Sequence, residues 1–160
     1  MEIYKVMLEN LESFCEDFNY IESDGYWVGA ASTGPNPFDY VEVYISGDAN
    51  GLNPTLGKAA IRVLNNFSSI GSAVKAYLLD IKSTTFKKFA NEEVVIQVND
   101  CPNTESLWEF QWLNFCDVDK LDQYEVVCQV NPHLAAGYEY CLWIVALRKD
   151  TPISHHGKFW

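Results

Sequence analysis

The sequence predicts an α+β domain, a mainly antiparallel sheet with helices packed on one face, built as a single domain over residues 1–160. Three observations carry that reading. Apolar residues recur at three- and four-residue steps near the start and through the middle of the chain, which is the stripe of an amphipathic helix. Elsewhere they alternate with polar residues at period two, which is one buried face of a strand. The composition, 48% hydrophobic and 21% charged, is that of a globular chain, and no run approaches the ~20 apolar residues that a membrane helix needs.

Ile3, Met7, Leu11, Phe14, Cys15 and Phe18 predict a helix over about 3–18. Ser23-Asp24-Gly25 marks a turn, and Tyr26 to Ser32 reads as a strand. After the loop Thr33-Gly34-Pro35-Asn36-Pro37, the stretch Phe38 to Ile45 sets Val41, Val43 and Ile45 on one face and Tyr40, Glu42 and Tyr44 on the other. It should be a half-buried strand paired with 26–32. Asn53 is placed to cap a helix whose first position is Pro54. The stripe Leu56, Ala60, Val63, Leu64 and Phe67 resumes as Ile70, Val74, Tyr77, Leu78 and Ile81 after a Ser68-Ser69-Ile70-Gly71 interruption. That pattern predicts two successive helices, about 54–66 and 70–82, with Lys58, Arg62, Lys75 and Lys82 on a solvated face.

Beyond Asn91 period two takes over, and Val94, Ile96 and Val98 form one side of a strand ending near Asn99. Trp108, Phe110 and Trp112 alternate with Glu109 and Gln111, after which Leu113 and Phe115 take over the apolar parity. Such a switch predicts a bulge near Trp112. Asp117 to Lys120 reads as a turn, and then Tyr124, Val126, Cys128 and Val130 oppose Gln123, Glu125, Val127 and Gln129. Tyr138 to Leu147 is apolar on both parities apart from Glu139, as a central strand covered on both faces would be. The expected order is α-β-β-α-α-β-β-β-β, with the strands in meander fashion.

Twenty-two Asp and Glu against eleven Lys and Arg give a net charge of −11. That is the opposite of the basic footprint a phosphate backbone requires, so nucleic acid is not an expected partner. The charge is segregated: residues 1–53 hold ten acids and one base, 54–91 one acid and six bases, and 92–147 ten acids and one base. A field of this kind attracts a basic protein and speeds its encounter. The opening MEIYKVMLENLESF has no basic region followed by an apolar one and a small-residue cleavage site, so no secretory signal and no membrane partner are read, and a cytoplasmic location is expected.

The five cysteines, Cys15, Cys101, Cys116, Cys128 and Cys141, are odd in number and lack a C-x-x-C spacing, which predicts free thiols rather than a disulfide framework or a zinc ribbon. Cys15, Cys128 and Cys141 lie in apolar patterns, where a thiol packs as a small hydrophobe. Cys101 lies among turn residues as the expected exposed thiol, with no basic neighbour to activate it. Asp48 to Asn53 has a calcium-loop flavour, but Gly51 falls fourth and Ala59 twelfth, which does not fit an EF-hand. His155 and His156 stand adjacent on what reads as a tail, and His133 sits in a turn, so no metal set forms. No G-x-G-x-x-G, G-x-x-x-x-G-K-[ST] or G-x-S-x-G occurs. Asp117, Asp119, Asp122 and Glu125 read as a solvated acidic edge rather than as a buried general acid. No catalytic residue, cofactor or metal is therefore expected.

Aromatic residues, at 14% of the chain, are the more unusual feature. Trp143 belongs to the expected core. Tyr40 and Tyr44 flank Glu42, the pattern of an interface patch with a charged rim, and Glu109, Gln111, Gln123 and Glu125 share the polar parity of strands expected to be neighbours. These seven residues form the expected protein-binding face.

In the strand Phe38-Asp39-Tyr40-Val41-Glu42-Val43-Tyr44-Ile45, the helix start Asn53-Pro54 with Leu56 to Leu64, and the late strand Tyr138 to Leu147, the chain resembles small bacterial immunity-type proteins, acidic cytosolic α+β domains that neutralise a toxin. The resemblance implies a stoichiometric, non-catalytic inhibitor of a basic toxin domain. Two alternatives stay open: a small cytosolic, hydrolase-like enzyme with a pocket between sheet and helices, and a structural subunit that homodimerises. The sequence leaves the oligomeric state open.

Overall fold

In the computed structural model, which describes residues 9–35, 39–89, 107–131 and 141–159, seven strands lie side by side. Their order is β1 (Cys15–Ile21), β2 (Tyr26–Ser32), β3 (Tyr40–Asp48), β5 (Trp108–Phe115), β6 (Gln123–Val130), β7 (Cys141–Arg148) and β8 (Thr151–Phe159), and the two-residue β4 (Gly51–Leu52) pairs with β3 alone. The helices are α1 (9–12), α2 (Pro54–Asn65) and α3 (Phe67–Phe89). Among the described residues every pairing is antiparallel except β3 with β5, which run parallel over Glu42–Ile45 and Trp112–Phe115. The expected continuous meander is therefore divided in two. A tight turn cannot join parallel neighbours, so the chain leaves β3 and returns to β5 by way of α2 and α3.

Strict alternation gives the sheet its buried side. Val41, Val43 and Ile45 of β3, Leu113 and Phe115 of β5, Val126 and Cys128 of β6, and Trp143, Val145 and Leu147 of β7 are buried in one cluster with Leu56, Ala60 and Val63 of α2 and Ile70, Val74 and Leu78 of α3. The fold is sheet-rich and mostly antiparallel, with a few helices. Asn53 caps α2 as its sequence position dictates: Oδ1 accepts the N–H of Thr55 at 3.0 Å and of Leu56 at 3.2 Å. The interruption falls earlier than Ser68, at Asn66, whose N–H turns back to the carbonyls of Val63 and Leu64. Gly71 stays helical, and its missing side chain serves packing instead, because a Cβ there would stand 2.9 Å from the Phe110 ring.

Of the predicted helix over 3–18, residues 3–8 lie outside the described residues, 9–12 are helical, and the remainder is corrected. Cys15 and Phe18 lie on β1, whose register with β2 shifts between Glu16 and Asn19, with Asp17 at φ 52°. The irregularity brings two residues three apart to the same side, both against Gly29, and that three-residue step imitates a helical one. The tail expected around His155 and His156 is the edge strand β8. Lys149 and Asp150, both at positive φ, turn the chain from β7 into it. Asp150 is held from two sides: its Oδ1 accepts the Tyr124 hydroxyl at 2.8 Å and its Oδ2 pairs with Arg62 of α2. The bulge near Trp112 is present, between Phe110 and Trp112. The expected strand at 94–99, His133, Cys101 and the start of the 138–147 run lie outside the described residues. Among the described residues no helix is long and apolar enough to cross a membrane.

Candidate functional site

On β3, Tyr40, Glu42 and Tyr44 face away from Val41, Val43 and Ile45, and the register carries that second face across the sheet. Ala30, Glu42, Trp112, Val127, Ile144 and His156 form one row over six strands. Val28, Tyr44, Asn114, Glu125, Ala146 and Ser154 form the next. Three aromatic rings step across β2, β3 and β5: Tyr26 meets Tyr44 edge to face at 6.2 Å, and Tyr44 meets Trp112 at 6.5 Å.

The acids of this face are positioned by hydrogen bonds. The Tyr44 hydroxyl donates to Glu42 Oε2 at 2.5 Å, Asn114 Nδ2 donates to Glu125 Oε2 at 3.2 Å, and Gln129 Nε2 donates to Glu109 Oε2 at 3.1 Å. Burial, and then the bond to Glu42 and its charge, push the Tyr44 phenol up to about 12. Tyr44 is therefore a neutral donor at pH 7.

Two hollows adjoin these rows. A cleft of about 650 Å³ opens where the starts of β3 and β5 diverge, lined by Tyr40, Glu109, Gln111 and Phe110 and by Lys75 of α3, whose Nζ lies 4.8 Å from the centre of the Phe110 ring. A second hollow, of about 410 Å³, is lined by Asn114, Gln123 and Glu125 together with Cys116, Lys120 and His156. The seven expected residues are thus distributed. Tyr40, Glu109 and Gln111 surround the cleft, Gln123 and Glu125 the second hollow, and Glu42 and Tyr44 share rows with β5 residues that stand between β3 and β6. Gln111 is the bulge residue and has no cross-strand counterpart on β6.

Periodicity alone missed Tyr26, Trp112 and Asn114. Trp112 shares a parity with Trp108 and Phe110 in the sequence, yet the bulge at Gln111 sends it to the face opposite theirs. The signal was the three-residue step from Phe110 to Leu113, which places the extra residue before Trp112.

Cys116 donates to the Tyr44 carbonyl at 3.7 Å, and burial raises its thiol pKa, the reverse of what a nucleophilic cysteine needs. Asp117, Asp119 and Asp122 are exposed; Asp117 pairs with Lys120 at 3.3 Å, and Asp122 with Arg148 at 3.3 Å. Among the described residues no group of three or more His, Cys, Asp or Glu is placed to hold a metal ion. Compared with protein-family models, with curated proteins and with solved structures, the chain gives no match.

Proposed function

We propose that the protein is a non-catalytic binding module that docks a basic protein partner, with the helices covering one face of the sheet and the partner meeting the other. The observation that carries this reading is the pair of rows in which the Tyr44 and Trp112 rings, with Tyr26 packed edge to face on Tyr44, accompany Glu42 and Glu125. Aromatic rings supply contact area at small entropic cost, and carboxylates already fixed by hydrogen bonds lose little freedom when a cation arrives. The acidity of the chain selects a basic protein over nucleic acid and steers its approach. The resemblance to immunity-type proteins gives that partner a class, a basic toxin domain neutralised one to one in the cytoplasm.

The test begins with capture of a partner and its identification by mass spectrometry. Its affinity is then compared for the native chain and for a variant combining Glu42→Lys, Tyr44→Ala and Glu125→Lys. Reversing the two charges should mainly slow association, and removing the Tyr44 ring should mainly speed dissociation. An unchanged affinity, with the variant folded by circular dichroism, removes this face as the docking surface.

A further inference from the structure

A further hollow, of about 450 Å³, opens at the end of the sheet where β3 leads into α2. One side of α2 forms its first wall, with Thr55, Lys58 and Arg62 at three- and four-residue steps, and the β5–β6 and β7–β8 turns form the second, with Leu121, Lys149 and Asp150. Its centre is fixed by a chain of contacts. The hydroxyl of buried Tyr124 donates to Asp150 Oδ1 at 2.8 Å, and Asp150 Oδ2 accepts from Nη1 of Arg62. A carboxylate held by a buried phenol thus holds a guanidinium, and the remaining N–H groups of Arg62 are left for a second acceptor. Lys58 stands one turn before Arg62 on the same side of α2, their Cβ atoms about 5–6 Å apart, and Lys149 directly precedes Asp150 in the turn.

The acids at this hollow already have partners. Asp150 is bound by Tyr124 and Arg62, and Asp122 pairs with Arg148 at 3.3 Å. Lys58 and Lys149, both exposed, pair with no acid among the described residues. This placement works against the free chain. Lys58 and Arg62 repel each other at an i,i+4 spacing, and the first turn of α2 carries no acid to meet the positive end of its dipole. A chain with twenty-two acids and eleven bases leaves two lysines without a counter-charge beside a clamped arginine, and an anion from outside supplies what the chain withholds.

We propose that the hollow between α2 and the β7–β8 turn binds the phosphate group of a small phosphate monoester, with the Arg62 guanidinium and the Lys58 and Lys149 ammoniums donating to its oxygens. This stands independently of the docking reading. Phosphate suits the site better than a carboxylate, because near pH 7 it approaches two negative charges and presents three acceptor oxygens to three cations. Leu121, 40% exposed on the opposite wall, gives the esterified group an apolar surface, in a volume within the range of small-molecule pockets.

Heteronuclear NMR titration of the full chain with phenyl phosphate tests the site, with phenol as the uncharged control, sulfate as a plain dianion and a short phosphoserine peptide as the other source of a phosphate ester. The expected result is saturable shifts at Thr55, Lys58, Leu121 and Lys149 with phenyl phosphate, none with phenol, and weaker binding of sulfate and of the peptide. Lys58→Gln and Lys149→Asn should each weaken phenyl phosphate about tenfold; asparagine suits the left-handed backbone at residue 149, where φ is 48°, so the turn keeps its shape. Without ligand, Lys58→Gln should be at least as stable to urea as the native chain, because it relieves the repulsion with Arg62. No saturable shift, equal shifts with phenol, sulfate binding as tightly as phenyl phosphate, or undiminished binding by both variants would overturn the proposal. A clear loss of stability in Lys58→Gln would also count against it, by giving that lysine a role in the fold. Tighter binding of the peptide than of phenyl phosphate would overturn the small-molecule assignment in favour of a phosphorylated protein.

Discussion

Leu113 stands at the seam where the two halves of the sheet meet, opposite Val43 in parallel register and opposite Val126 in antiparallel register, and all three are fully buried. Leu113→Ala replaces an isobutyl group with a methyl, a transfer loss of about 2–2.5 kcal/mol at about 0.8 kcal/mol per carbon. The cavity adds to this, because Val43 and Val126 are fixed by strand register on both sides and cannot collapse into the space. The total should be about 3–4 kcal/mol. Against a domain stability of about 5–15 kcal/mol, the variant still folds but loses on the order of 1–3 M from its urea midpoint. Urea titrations followed by tryptophan fluorescence and by far-UV circular dichroism measure it, and the two probes should coincide. Ile153→Ala, at a position 46% exposed, is the control and should cost less than about 0.5 kcal/mol. A loss at Leu113 below about 1 kcal/mol, or one matched by Ile153→Ala, would refute the view that the seam is tightly packed.

Asn53→Ala should cost about 1 kcal/mol by leaving the N–H groups of Thr55 and Leu56 without their side-chain acceptor, whereas Asn53→Asp should stay within about 0.5 kcal/mol of the native chain; urea titration separates them. Burial raises the Cys15 thiol to about 11 and the Tyr44 phenol to about 12, so in both the fold favours the protonated form. Their contribution is complete below about pH 9, the ordinary thiol value, and is lost as the pH climbs through 11 and 12; Cys15→Ala and Tyr44→Phe should flatten the alkaline fall in urea midpoint, and an unaltered fall would contradict the assignment. In native protein, thiol reagents should modify half-buried Cys116 before buried Cys15 and Cys128, and denaturant without reductant should release all five thiols; a count below five would mean that some are already oxidised.

What the sequence reveals about this fold follows from what periodicity measures. It reports the direction a side chain faces, so β3 and β6, where one parity is buried without interruption, are legible residue by residue. The Asn53-Pro54 helix start is legible because capping chemistry is local. Strand β1 is not, since its irregularity spaces Cys15 and Phe18 like turns of a helix. Strand β8 has one partner strand among the described residues; Pro152, Gly157 and the adjacent histidines give it no clean alternation, and its packing on α3, where the Tyr77 hydroxyl meets His155 Nδ1 at 2.7 Å, is a tertiary contact that no local pattern records. Periodicity is also silent on which strands are neighbours. Glu42, Tyr44 and Glu125 can be placed on polar parities from sequence, but the β5 residues Trp112 and Asn114 that join them depend on a parallel pairing that no local pattern records.

The extra residue in β5 also makes two properties of the protein independent of each other. Phe110 stands opposite Cys128 and Trp112 opposite Val127, and those two β6 residues are consecutive, so Gln111 contributes to neither alignment. A chain lacking Gln111 would keep Trp108, Phe110, Leu113 and Phe115 turned inward and Glu109 and Trp112 turned outward, because the three-residue step would shorten to the ordinary two. What it would lose is the divergence from β3, and with it the space beside Tyr40. The length of one strand thus governs the aperture of the cleft, while the composition of the rows on the second face is set separately, so lineages could widen or close the opening by single-codon gain or loss without turning any side chain to the other surface of the sheet.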